Sequence, residues 1–201
     1  MSLTHVFFDI GGVLGTNGWD RDQRARAMQK FSIEDDDFEH RHHQVVSEFE
    51  TGAMSLEEYL DVTVFYTPRL FSREDFELYM LALSEPNAYT IEVAKHVAST
   101  GRVRLMTMNN ESAVLNVYRI ERFGLKQIFP TFLSSCWLGV RKPSRVFFER
   151  ALGIAQAEPG SSLLIDDREQ NLAPAAALGM HTIHYRDPES LARELSHYGV
   201  L

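Results

Sequence analysis

Four or five short apolar runs, most of them closed by polar residues, constrain this chain more than any other feature. Val6-Phe7-Phe8 ends at Asp9, and Val103–Met108 ends at Asn109-Asn110. Phe132-Leu133 leads into Ser134-Ser135, Leu163-Leu164-Ile165 ends at Asp166-Asp167, and Thr182-Ile183-His184-Tyr185 closes the set. Runs this short, apolar at successive positions, describe strands covered on both faces, the condition of a parallel sheet. Helical segments fall between them. The sequence places one from Glu111 to about Phe123, capped by Asn110 and followed by Gly124, and another over Ser144–Leu152, stopped by Gly153. After Asp167, Asn171 is the expected N-cap, which puts Pro174 in a first turn, where a missing N–H costs little. Strand and helix in alternation predict an α/β fold with a doubly wound parallel sheet.

The stretch from Asp20 to Leu83 follows another pattern. Phe38, His42, Val45 and Phe49 recur at helical spacing, as do Leu56, Tyr59, Leu60, Thr63 and Val64, and then Phe76, Tyr79, Met80 and Leu83. Ser55-Leu56-Glu57-Glu58 and Ser72-Arg73-Glu74-Asp75 are capping boxes that start two of these helices. Each helix has one apolar face and needs a partner. Together they predict a small helical cap over residues 16–83, inserted into an α/β core made of residues 1–15 and 84–201.

A chain of 201 residues suffices for one domain carrying such an insertion. Twenty basic against twenty-eight acidic residues give a net charge of −8. That balance argues against nucleic acid and anionic membranes as partners, so attraction for an anionic small molecule has to come from a local site. A lone cysteine, Cys136, sits in an apolar run and reads as a structural thiol; a single Cys suits a reducing cytoplasm. The N-terminal stretch has no basic segment followed by an apolar one, and no apolar run approaches the ~18 residues of a membrane span. The expectation is a cytoplasmic protein. The sequence leaves its oligomeric state open.

In a parallel sheet, ligands bind beyond the carboxyl ends of the strands. Asp9, Thr107, Asn109, Asn110, Asp166 and Asp167 all fall there, and Lys142 follows the third strand. Gly11 and Gly12 let backbone amides approach a bound anion. Two adjacent acids behind an apolar strand are costly unless a cation accompanies them. Oxygen ligands from a few carboxylates suit magnesium rather than zinc. Beside these carboxylates Lys142 would balance charge and hold phosphoryl oxygens. His40, His42 and His43 lack the spacing of a helical zinc pair; His42 falls on an apolar stripe and reads as a core residue.

These residues resemble the motifs of the haloacid dehalogenase (HAD) superfamily. Phe8-Asp9-Ile10-Gly11-Gly12-Val13-Leu14 resembles its first motif, Arg141-Lys142-Pro143 its third, and Leu164-Ile165-Asp166-Asp167 its fourth, with the family's spacing on to Gly179-Met180. The resemblance runs along the whole chain, and the helical insertion matches the family's C1 cap position. It implies that Asp9 is a nucleophile forming an aspartyl-phosphate. It implies that Asp9, the Gly11 carbonyl, Asp166 and Asp167 hold Mg²⁺, with Asp167 the principal ligand of the pair, and that Lys142 positions nucleophile and phosphate. Gly12, Asn110 and the motif-two residue would bind phosphate. Strand length puts Asn109 at motif two, with Thr107 as the alternative. In most phosphatases of the family a second Asp, two residues after the nucleophile, protonates the leaving group; here that position is Gly11. The expected function is a Mg²⁺-dependent phosphatase of small phosphorylated metabolites. The alternatives are a 2-haloacid dehalogenase, which also lacks the second Asp, and a binding or regulatory protein with impaired catalysis.

Overall fold

The computed structural model describes residues 2–201. Its sheet consists of β1 (His5–Phe8), β2 (Arg104–Asn109), β3 (Phe132–Ser134), β4 (Ser162–Asp166) and β5 (His181–His184). All neighbours are parallel, in the order β3-β2-β1-β4-β5. Side chains alternate across a strand, and β1 feeds two cores accordingly. Val6 and Phe8 point into one, which holds Leu105, Leu163 and Ile165 and is covered by α5 (Ala88–Thr100), α6 (Ala113–Arg122) and α10 (Pro188–His197). Phe7 points into the other with Met106, Met108 and Leu164, beneath α8 (Arg145–Ala155) and α9 (Glu169–Ala177). Phe7 and Phe8 are both fully buried, and truncating either to Ala should cost about 3–5 kcal/mol.

Between β1 and α5 lie α1 (Arg21–Phe31), α2 (Asp35–Glu50), α3 (Leu56–Thr63) and α4 (Arg73–Ala82). Both capping boxes form, at Ser55–Glu58 and Ser72–Asp75. The apolar faces of these helices close on a third core of Trp19, Phe38, Phe49, Tyr59, Leu60, Phe76 and Met80, which also takes in Leu115 of α6. His42 lies inside it, with Nδ1 2.8 Å from the Tyr59 hydroxyl, and burial pushes its pKa down to about 3. A neutral histidine is the form a closed apolar core tolerates. Cys136 is half-buried, and burial pushes its thiol up to about 11. No described helix is long and apolar enough to cross a membrane.

Three helix boundaries differ from the sequence reading. Asn110 does not cap a helix; α6 starts at Ala113 with Ser112 at the N-cap, because the Asn110 amide is engaged elsewhere. Gly153 does not stop α8, which continues to Ala155 and ends on Gln156 in the left-handed region. The glycine costs about 1 kcal/mol in a helix, while the buried stripe of Phe148, Ala151, Leu152 and Ala155 continues past it. Likewise α9 begins at Glu169, leaving Asn171 inside its first turn and Pro174 in its interior. The four-residue α7 (Ser135–Leu138) follows β3 directly.

Candidate active site

The strand order reverses direction between β1 and β4, so the crevice beyond their carboxyl ends is the topological switch point where such sheets bind ligands. Asp9 follows β1, and Asp166-Asp167 ends β4. One carboxylate oxygen from each of the three lies within 4.8 Å of the others. Lys142 reaches into this group from the loop after α7. Its Nζ stands 3.1 Å from Asp9 Oδ2, donates to Asp166 Oδ2 at 2.6 Å, and donates to the Met108 carbonyl at 2.9 Å.

All of this lies under cover. Lys142, Asp9 and Asp166 are buried, and Asp167 is half-buried. Burial pushes the Asp9 carboxyl up to about 8: Lys142 opposes the shift, while Asp166 and Asp167 add to it. Burial and Asp166 hold Asp167 above the usual carboxylate range as well. Burial works against the Lys142 ammonium, but Asp9 and Asp166 outweigh it and raise its pKa. Three carboxylates therefore share one buried ammonium.

The two aspartates of β4 differ in their bonding. Asp166 Oδ1 accepts from the Arg168 amide at 2.9 Å, and the Asn171 amide donates to both Asp166 oxygens at 3.0 and 3.1 Å. Asn171 thus holds the Asp166 carboxylate from inside α9, rather than capping the helix. Asp167 Oδ1 is buried and has no hydrogen-bond partner. The other Asp167 oxygen stands directly over Gly12. A Cβ at Gly12 would lie 2.2 Å from it, and Gly12 has a φ of +73°. Only glycine allows both.

The remaining site residues divide. Asn110 lines the cleft, and its amide forms a reciprocal pair with the Lys142 backbone: Nδ2 donates to the carbonyl at 2.9 Å and Oδ1 accepts the N–H at 2.8 Å. Asn109 and Thr107 do not line it. The Asn109 amide is buried, donating to Asn116 Oδ1 at 2.9 Å and accepting from Ser134 Oγ at 2.8 Å. Thr107 is in register with Phe8 and shares the Phe8 side of the sheet. Asn109, two residues on, takes the same side, which the period of a strand requires. Of the motif-two candidates, the structure thus brings neither Asn109 nor Thr107 to the lining of the cleft, while Asn110 reaches it.

The cleft also gathers residues to which the sequence gave no role: Glu50 at the end of α2, Asn17, Arg141, Arg168 and Gln170. Arg141 donates to Glu50 Oε2 at 2.7 Å, joining α2 to the loop after α7. Adjacency to Lys142 was a signal for Arg141. Glu50 carried none, since it closes a helix far from any motif.

No protein-family model matches the chain. Over 131 residues, 64% of its length, it is 28% identical to bifunctional epoxide hydrolase 2 of Rattus norvegicus, a match covering 24% of that protein. Over 66 residues, 33% of its length, it is 36% identical to flavin mononucleotide hydrolase 1 of Arabidopsis thaliana, covering 27% of it. The chain spans about a quarter of these curated relatives. Among solved structures, a HAD-family enzyme of Bacteroides thetaiotaomicron superposes with a TM-score of 0.81 at 18% identity, covering 92% of this chain and 95% of that one. The same enzyme in complex with magnesium and inorganic phosphate gives 0.76 at 17% identity over 92% and 95%. An L-2-haloacid dehalogenase gives 0.69 at 15% identity, with 98% and 100% covered.

Proposed function

From the haloacid dehalogenase fold of this chain and the lysine–carboxylate site at its topological switch point, we infer a hydrolase that is a Mg²⁺-dependent phosphatase of small phosphorylated metabolites. One observation carries this reading. Three clustered carboxylates share a single buried ammonium, and Asp167 keeps a buried oxygen without a partner. A hard divalent cation supplies the missing charge and the missing partner. Asp9, Asp167 and the Gly11 carbonyl would hold it, with Asp166 completing the negative charge around it. Once bound, Mg²⁺ offsets the charge of the transferring phosphoryl group. The solved relative with magnesium and inorganic phosphate supports the same assignment.

The chain's own residues account for the rest. Asp9 attacks phosphorus through a carboxylate oxygen, the bond to the ester oxygen breaks, and water then releases phosphate from the aspartyl-phosphate. The Ile10 amide donates to Asp9 Oδ1 at 2.7 Å and Lys142 holds Oδ2, which fixes the carboxylate for attack. Asn110 fixes Lys142 in turn through its backbone. The cap covers the cleft and excludes bulk water. A dehalogenase shares the fold and Asp9, but needs no metal and leaves the free Asp167 oxygen without a use.

The test is phosphate release from a panel of small esters, with and without Mg²⁺, by wild type and Asp9→Asn. Release that requires both the metal and Asp9 is the expected result. Metal-independent halide release from 2-haloacids, or full turnover by Asp9→Asn, would overturn the reading.

A further inference from the structure

We propose that Glu50, delivered by the cap, performs the proton transfers that Gly11 cannot: it protonates the leaving oxygen and then takes a proton from the attacking water. This rests on the phosphatase reading above. The cavity over Asp9 is narrow, about 90 Å³. In a cleft this narrow, the groups on its wall are the ones placed to give a proton to the leaving oxygen. Among the described residues lining the cleft, only Asp9 and Glu50 carry a carboxyl, and none is His, Cys or Tyr. Asp9 is the nucleophile. In-line displacement puts the leaving oxygen on the side of phosphorus away from it. Asp9 belongs to the sheet edge and Glu50 to the cap above it.

Glu50 is also held for such a task. The Ser135 hydroxyl donates to its backbone carbonyl at 2.6 Å, and Arg141 binds Oε2 at 2.7 Å. Among the described residues Oε1 has no hydrogen-bond partner. Burial raises the Glu50 carboxyl above the ordinary range, against the attraction of Arg141, Arg168, Arg24 and Lys142. The Glu50 charge in turn adds to burial in raising the carboxyl of the buried Glu111.

The two steps balance. Asp9 forms a bond to phosphorus as the bond to the ester oxygen breaks. That oxygen keeps the electron pair and receives the Glu50 proton, leaving as an alcohol. Water then attacks phosphorus and gives one proton to the Glu50 carboxylate. The Asp9–phosphorus bond breaks with its electrons returning to Asp9, and Glu50 is protonated again.

The experiment is steady-state turnover of aryl and alkyl phosphates with Mg²⁺ by wild type, Glu50→Gln, Glu50→Asp and Arg141→Gln, with near-ultraviolet circular dichroism to confirm packing. Glu50→Gln should lose about 10²–10⁴-fold on alkyl phosphates, the range of general acid catalysis, and far less on p-nitrophenyl phosphate, whose leaving group needs little protonation. Glu50→Asp should recover part of the alkyl activity. Arg141→Gln should not steepen the leaving-group dependence. By removing a cation it should move the alkaline limb of the pH–rate profile upward, and Glu50→Gln should abolish that limb. An active wild type whose Glu50→Gln loses equally on every ester overturns the proposal and leaves Glu50 as a cap–core strap. Unchanged alkyl turnover in Glu50→Gln overturns it too. A wild type inactive on all esters overturns the phosphatase reading itself.

Discussion

Gly11 and Gly12 are neighbours in the loop after β1, yet the structure gives them opposite tolerances. At Gly12 a Cβ would lie 2.2 Å from Asp167 Oδ2 and 2.4 Å from Asp167 Cγ, on a backbone with φ of +73°. Gly11 stands outside the left-handed region, and a Cβ there would meet nothing closer than Asn17 Oδ1 at 3.5 Å. Gly12→Ala therefore has two effects. Holding a non-glycine residue in the left-handed region costs about 1–2 kcal/mol. For a chain of this size each kcal/mol moves Tm by about 2–4 °C, so strain alone should lower Tm by about 2–8 °C. The clash is relieved by moving Asp167, whose Oδ1 has no hydrogen bond to lose. That costs the fold little but takes an oxygen out of the carboxylate cluster. Magnesium at 100 times its Kd should stabilise the wild type by about 2.7 kcal/mol, and Gly12→Ala should forfeit most of that increment. Gly11→Ala should melt close to wild type, or gain about 0.4–1 kcal/mol by restricting the unfolded chain. Thermal melts of the three proteins, metal-free and through a MgCl₂ titration, measure both effects. Equal losses at the two positions, or a full magnesium increment in Gly12→Ala, would refute the reasoning.

Other perturbations probe the same site. Lys142→Met strands the buried Asp9 and Asp166 and should cost about 3–5 kcal/mol; urea unfolding should show the loss shrinking as pH falls, since protonated carboxyls no longer need the ammonium. The raised pKa values of Asp9, about 8, and Asp167 mean that the metal-free fold holds protons the unfolded chain has released. Its stability from these groups is thus greatest at low pH and lost as pH rises toward about 8. A cation replaces those protons, so the magnesium-induced rise in Tm should be larger near pH 8 than near pH 5; equal increments would contradict this. Gly11→Asp restores a carboxyl where the backbone conformation and local space accept a Cβ, and should flatten the dependence of turnover on leaving-group pKa. A folded Gly11→Asp without turnover would show that the glycine is needed for room in the cleft.

The residues that end strands were legible from the sequence for a definite physical reason. Parallel strands deliver their carboxyl ends to one edge, so a place at the end of an apolar run is also a place in space. That argument located Asp9, Asp166 and Asp167 without any long-range contact. The capping boxes at Ser55 and Ser72 were legible because their partners lie within one helical turn, and the stripe that buries Phe38, His42 and Phe49 because helical period fixes a face. Strand length alone put Asn109 at the cleft, with Thr107 as the alternative, but one residue along a strand reverses a side chain. The choice was made by Asn116 and Ser134, which take the Asn109 amide, and by Lys142, which takes Asn110. Gly153 and Asn171 misplaced helix boundaries because a continued buried stripe and the Asp166 carboxylate at the end of the preceding strand outweighed capping preference. Glu50 joins Arg141 and Arg168 in the cleft only because α2 packs over the loops at the carboxyl edge of the sheet. No local propensity encodes that juxtaposition; it arises when the apolar faces of the inserted helices close on one another and on Leu115.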